Sequence, residues 1–239
     1  MLLERTYAKR VRSVLGRSYL DAAKLVERGV DDFGYVVDAQ RDRLAKTVNT
    51  HYKRVSAVFG KEVFDSLDNL KGVGQPSHIK TMAGEFDLSM RQWILWQTGK
   101  QVRNIDAVTL KNLKGIFMKG YGEGLSNREI AKEIRAKSGI TNPIRASRIA
   151  RTETHSAAVK SVNAAVESTR VKMEREWDAA QDERVRETHI AADGQRRDQD
   201  TPYDVGGEQL MYPGDPSGSP ENVIQCRCCE LFHVIREGE

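Results

Sequence analysis

The feature that most constrains this chain is a change of period at Val171. Up to about Arg170, apolar side chains recur every three or four residues; beyond it, Val171, Met173 and Trp177 alternate with Lys172, Glu174 and Glu176. Three-to-four-residue spacing puts side chains on one face of a helix, whereas spacing of two puts them on one face of a strand. The expected fold class is therefore α+β, with a predominantly helical N-terminal region followed by a small α+β domain carrying a short antiparallel sheet and a long structured loop.

The helical part divides at its punctuation. Leu3, Tyr7, Val11, Val14 and Leu15 mark a first helix that Gly29 closes, and Val37, Leu44, Val48, Tyr52, Val55 and Phe59 mark a second, antiparallel to it. Lys71 to Ser77, with two glycines and a proline, predicts a joint. Ile79, Met82, Phe86, Met90, Trp93, Ile94 and Trp96 then form a bulky stripe up to Gly99, in which both tryptophans are expected to pack in the core, and a further helix runs from Ile105 to Lys119.

Ser126 and Glu129 form a capping box, with Leu125 and Ile130 as its apolar staple, so a helix starts at Ser126. Gly139 is expected to stop it, and Thr141, Asn142 and Pro143 to cap and open the next. Two short-linked helices also fit the first half of a helix-turn-helix, which makes residues 126–170 a candidate DNA-binding module. The many alanines of the second helix, among them Ala157, Ala158, Ala164 and Ala165, favour close helix packing over groove reading.

Past the period change, residues 193–222 hold five glycines and four prolines, the composition of a long structured loop with one short hairpin. The chain closes on Ile224 to Ile235, where Ile224, Cys226, Cys228, Phe232 and Val234 would share one strand face, paired with the strand of Trp177.

Composition excludes several classes. A chain of 239 residues with 39% apolar and 30% charged residues buries a core without staples, and no apolar run suffices for a membrane span. The N-terminus is charged from Glu4, so no secretory signal is read there and synthesis in the cytoplasm is expected. All three cysteines fall between Cys226 and Cys229, which argues for reduced thiols rather than a disulfide framework. A net charge of +4 permits DNA contact without demanding it.

Arg148-Ile149-Ala150-Arg151-Thr152-Glu153-Thr154, then Trp177, Asp178, Arg184, His189, Gly194, Pro213-Gly214-Asp215-Pro216 and Cys226-Arg227-Cys228 stand in an order that resembles the phage head morphogenesis proteins of the Mu F type. The resemblance covers Leu125 to the C-terminus, and it divides the chain into a helical region, 1–122, and a Mu F-like domain, 123–239. Two positions depart from the pattern: Gln225 stands where the family usually has asparagine, and Tyr203 where it often has phenylalanine.

The resemblance implies a minor head protein of the virion, low-copy or oligomeric, at or near the portal vertex or inside the capsid. Its partners would be the portal protein and the major capsid or scaffolding protein, with phage DNA a further candidate and no membrane. An effect on DNA packaging, retention or ejection would follow. Residues 1–122 would supply the surface specific to this phage's portal or shell.

Chemistry is read more sparingly. Cys226, Cys228 and His189, with His155, Cys229 or His233 as a fourth ligand, are of the types that zinc prefers. Alternate residues of a regular strand lie about 7 Å apart, however, so buried unligated thiols are the expected reading and no cofactor is assigned. Asp178, Asp182, Arg184 and His189 are candidates for a hydrolytic cleft, which keeps an enzyme, a nuclease or toxin-like transferase, as the rival class; no nucleophile elbow or phosphate loop supports it, and a polar network tying the loop to the sheet is preferred. Arg151 and Glu153 are expected to form a buried ion pair. Pro213 to Pro216 reads as a rigid turn over the sheet, with a portal-docking surface as its alternative.

Overall fold

The computed structural model describes residues 2–68 and 76–235. Four long helices come first: α1 (Leu2–Glu27), α2 (Phe33–Asp68), α3 (Pro76–Gly122) and α4 (Asn127–Thr169). The rest is β1 (Met173–Asp178), α5 (Glu187–Ala192), β2 (Arg196–Asp198), β3 (Tyr203–Val205), β4 (Glu208–Leu210), α6 (Pro220–Val223) and β5 (Cys229–Val234). The chain is α+β, as its change of period requires. The expected joint lies outside the described residues from Lys71 to Gln75, as does the side chain of Ile79.

Two compact units are resolved, Met1–His51 with Ile94–Ala150, and Tyr52–Trp93 with Arg151–Glu239. Helices α2, α3 and α4 contribute to both. The first unit has a core of Tyr19, Ala22, Ala23, Val26, Phe33, Val36, Leu113, Ile130, Ala131 and Ile134, with Leu125 packed against it. Gly29 ends α1 as expected: at φ 78° it leaves the Val30 N–H free to reach the Leu25 carbonyl at 3.0 Å. The capping box also forms, with Glu129 accepting from the Ser126 N–H at 2.8 Å and the Ser126 hydroxyl facing the Glu129 N–H at 3.4 Å.

Three expectations about helices fail. Gly99 does not divide α3, because the buried stripe of Phe86, Met90 and Ile94 continues through Gln97, Thr98, Val102, Ile105, Thr109 and Leu113 in one helical register. Its polar members hide it from a reading by hydropathy. Gly139 and Pro143 do not divide α4 either, since Ile130 and Ile134 are followed on the same face by Asn142, Ala146 and Ala150, all buried. With no turn between two helices there is no helix-turn-helix, and one face of residues 126–150 is core. Trp96 is not core: it is 52% exposed, with Lys100 over its ring, while Trp93 packs inward against Tyr52.

In the second unit, α4 ends at Thr169, and Arg170 takes a left-handed φ of 56° before the chain turns into the sheet. That sheet has the antiparallel order β2-β1-β5, with Trp177 opposite Glu230 and Arg175 opposite both Arg197 and Phe232. The pairing of the last strand with the strand of Trp177 is as expected; β2 was not. The foreseen hairpin is β3-β4, turning at Gly206 and Gly207. The final strand is shorter than its alternation predicts: it starts at Cys229, so Cys226 and Cys228 precede it, and α6 occupies Pro220–Val223.

Candidate functional site

The second unit's small core is built around Trp177, which β1 holds fully buried among Ala179, Ala192, Tyr203, Val205, Leu210, Cys226 and Cys228. The rings of Tyr203 and His189 meet the indole edge-on, at centroid distances of 5.3 and 5.5 Å. Gly194 ties the following loop back to β1, donating its N–H to the Trp177 carbonyl at 2.8 Å, while the Trp177 N–H reaches Gln195.

Period two along β1 puts Arg175 on the same inward face as Met173 and Trp177, and it is buried there at 2% exposure. The guanidinium donates to the main-chain carbonyls of Asp198, at 2.9 Å, and Thr201, at 2.8 Å, and to that of Met211. It also pairs with Glu230 on β5 at 3.1 Å. Glu230 accepts in addition from the Tyr203 hydroxyl at 3.1 Å and from the Asn163 amide on α4. Burial pushes the Glu230 carboxyl upward, and Asn163, Arg175 and Tyr203 act against that shift. The hydroxyl that distinguishes Tyr203 from phenylalanine thus has a partner, and burial together with Glu230 keeps it protonated.

Arg175 and Glu230 were missed because charged residues are read as facing solvent, although the phase of β1 was a usable signal for Arg175. Of the expected pair, Arg151 is exposed on α4, whereas Glu153 is buried and accepts from the Tyr52 hydroxyl.

Pro213 to Pro216 form a buried turn, and at Gly214 it packs against α4. Gly214 has φ 79°, and a β-carbon there would stand 2.8 Å from the His155 ring and 3.7 Å from the Ser156 backbone. Only glycine meets both demands. Asp215 closes the turn on itself, accepting from the N–H groups of Met211 and Ser217, each at 2.9 Å. Asn222 joins three elements: its amide donates to the Val205 carbonyl at 3.2 Å and accepts from the Thr188 hydroxyl at 3.0 Å.

The segment before β5 enters through Gln225, whose φ is 58° and whose N–H donates to the Thr152 hydroxyl on α4 at 3.0 Å. A left-handed backbone is where asparagine is enriched among residues other than glycine, a physical reason for the family's usual residue at this position. Arg227 then points outward to Asp182, while Cys226 and Cys228 point inward. The Arg227 hydrogen bond holds Asp182 down at about 2.

Nδ1 of His189 lies 3.3 Å from Sγ of Cys228 and 3.8 Å from Sγ of Cys226. The neighbouring Cys226 and His189 lower the Cys228 thiol, and the hydrogen bond to Cys228 together with burial raises Cys226. Burial lowers His155 of α4 to about 4. The other proposed ligands are engaged elsewhere, Cys229 with Asp178 at 3.0 Å and His233 with Glu176 at 2.8 Å.

Of the residues suggested for a hydrolytic cleft, His189 is buried at 1% exposure and faces two thiols, Asp178 receives Cys229, and Asp182 and Arg184 are exposed at the surface.

A helical frame carrying a small sheet, with its polar side chains turned onto its own main chain, defines a braced α+β module. The profile of the Phage Mu protein F like protein family matches residues 111–231, just over half of the chain, and the chain belongs to that family. It is accordingly grouped with the phage head morphogenesis proteins. No curated protein and no solved structure matches it. Among the described residues, no helix is long and apolar enough to cross a membrane.

Proposed function

We propose that this protein is a minor head protein of the virion, a structural component acting in head assembly at or near the portal vertex and without catalytic chemistry of its own. One observation carries the reading: polar residues of the family region bind their own backbone. Arg175 holds three carbonyls, Asp215 two amides, Thr152 the amide of Gln225 and Asn222 the carbonyl of Val205. Such groups fix a shape and leave little to act on a substrate.

In this proposal residues 123–239 are the module shared with the family, and residues 1–122 supply the surface specific to this phage. Tyr35, Leu95, Trp96, Met118 and Tyr121 are large apolar side chains exposed in that region, suited to contact the portal protein or the major capsid or scaffolding protein. Packaging, retention or ejection of DNA would be affected through that assembly role.

Quantitative mass spectrometry of purified virions tests it. The protein is expected at few copies per head, and a Leu95→Ser/Trp96→Ser variant that folds normally should be depleted from heads. Absence from virions, or normal heads from a phage lacking the gene, would refute the proposal.

A further inference from the structure

We propose that Cys226, Cys228 and His189 hold a zinc ion, with His155 as the fourth ligand. The three ligand atoms already lie within 4.8 Å of one another, and all three residues are buried. Zinc sits about 2.3 Å from a thiolate and about 2.0–2.1 Å from an imidazole nitrogen, which makes the sulfur–nitrogen edge of a tetrahedral site about 3.6 Å. The observed separations of 3.3 and 3.8 Å bracket that edge. Thiolate and imidazole in a closed, buried setting select zinc over magnesium or calcium.

Strand spacing does not oppose the site. Cys226 and Cys228 precede the ladder, which begins at Cys229, and the left-handed Gln225 with the Cys226 N–H bonded to the Val223 carbonyl sets the segment's course. The Trp177 ring, perpendicular to the imidazole, fixes the plane of His189.

His155 supplies an independent observation. Its Nε2 is buried without a hydrogen-bond partner, a costly state for a ring nitrogen, and Gly214 packs against the ring. Its ring stands outside the three-residue group and would have to close in on the ion, whereas Cys229 and His233 are held by Asp178 and Glu176.

Four protein ligands leave no open position, so the ion would be structural. It would join α4, α5 and the segment before β5, whose ligands are far apart in sequence. Two thiolates neutralise the divalent charge within the core, and their protons are released on binding.

The test uses the full-length chain, produced in zinc-supplemented medium and purified without chelator. Elemental analysis should find about one zinc per chain, retained by Cys229→Ser and lost by Cys226→Ser and Cys228→Ser. Cobalt(II) added to metal-free protein should give thiolate charge-transfer bands and the intense visible bands of a tetrahedral site, the latter altered in His155→Ala. A chelator should lower the wild type's melting temperature, a readout that holds even if the cysteine variants misfold. Wild-type protein with neither zinc nor cobalt bands would overturn the site, and an unaltered His155→Ala spectrum would overturn the fourth ligand. Either failure leaves the head-protein reading as it stands.

Discussion

Gln225 carries strain that one substitution should relieve. At φ 58° its backbone sits where a side chain with a β-carbon crowds the following carbonyl, and asparagine tolerates that region better than glutamine. Its side chain is exposed, so Gln225→Asn changes little else. We expect a gain of about 0.5 kcal/mol, read as a higher urea midpoint; a loss would mean that the glutamine makes a contact of its own. Arg175 presents the opposite case. Arg175→Met leaves Glu230 buried without its cation and takes the guanidinium away from the carbonyls of Asp198, Thr201 and Met211, for a cost of about 3–5 kcal/mol. Adding Glu230→Gln should recover only part, because those carbonyls still lack the guanidinium. A loss under about 1 kcal/mol in urea unfolding would show that the network is not what braces the unit. The sequence held the phase of Arg175 but not its burial, since its receiving carbonyls arrive from a loop whose path no periodicity encodes. Trp177 was legible because a large apolar side chain in phase with Met173 has one place to go.

Among the elements, helix starts were easier to read than helix interruptions, for a physical reason. A start is local chemistry: Ser126 and Glu129 satisfy free amides that any helix exposes there. Gly139 and Pro143 are local stop signals too, but the buried face of α4 continues across them, and packing outweighs one missing hydrogen bond at the Gly139 carbonyl. The same holds for Gly99 in α3. Ser126→Ala should cost about 1 kcal/mol, seen in thermal or urea unfolding of the full chain. The cap also predicts a pH dependence. Hydrogen bonds from the Ser126 side chain and backbone depress the Glu129 carboxyl below its unfolded value, so its contribution is present above that value, near pH 4.3, and is lost as pH falls through the folded one. Ser126→Ala should therefore narrow the gap to wild type in acid; a gap unchanged from pH 6 to the acid limit would exclude the carboxylate as the cap's partner.

At the scale of the molecule, order along the chain and grouping in space part company. Motif order marks residues 123–239 as the family's region, yet the compact unit containing most of it also takes in Tyr52–Trp93. Periodicity reveals which face of a helix is buried, but not which other helix covers it. Here Tyr52 donates its hydroxyl to Glu153, Trp93 donates its indole N–H to the Tyr212 oxygen at 3.2 Å, and Glu85 pairs with Arg170. Gly60 and Phe86 interlock so closely that a β-carbon at 60 would stand 2.3 Å from the ring, so that pair of helical segments is itself fitted together. A fragment of residues 123–239 should then retain helical circular dichroism but unfold without a sharp transition and bind an apolar dye, because α4's buried face and the Tyr212 and Glu153 side chains have lost their cover. Coexpression with residues 1–122 should restore a cooperative melt. Cooperative unfolding of the fragment alone, at the full chain's midpoint, would mean that these helical segments lie against a module able to hold its shape without them, and the contacts of Tyr52 and Trp93 would then contribute little to its folding.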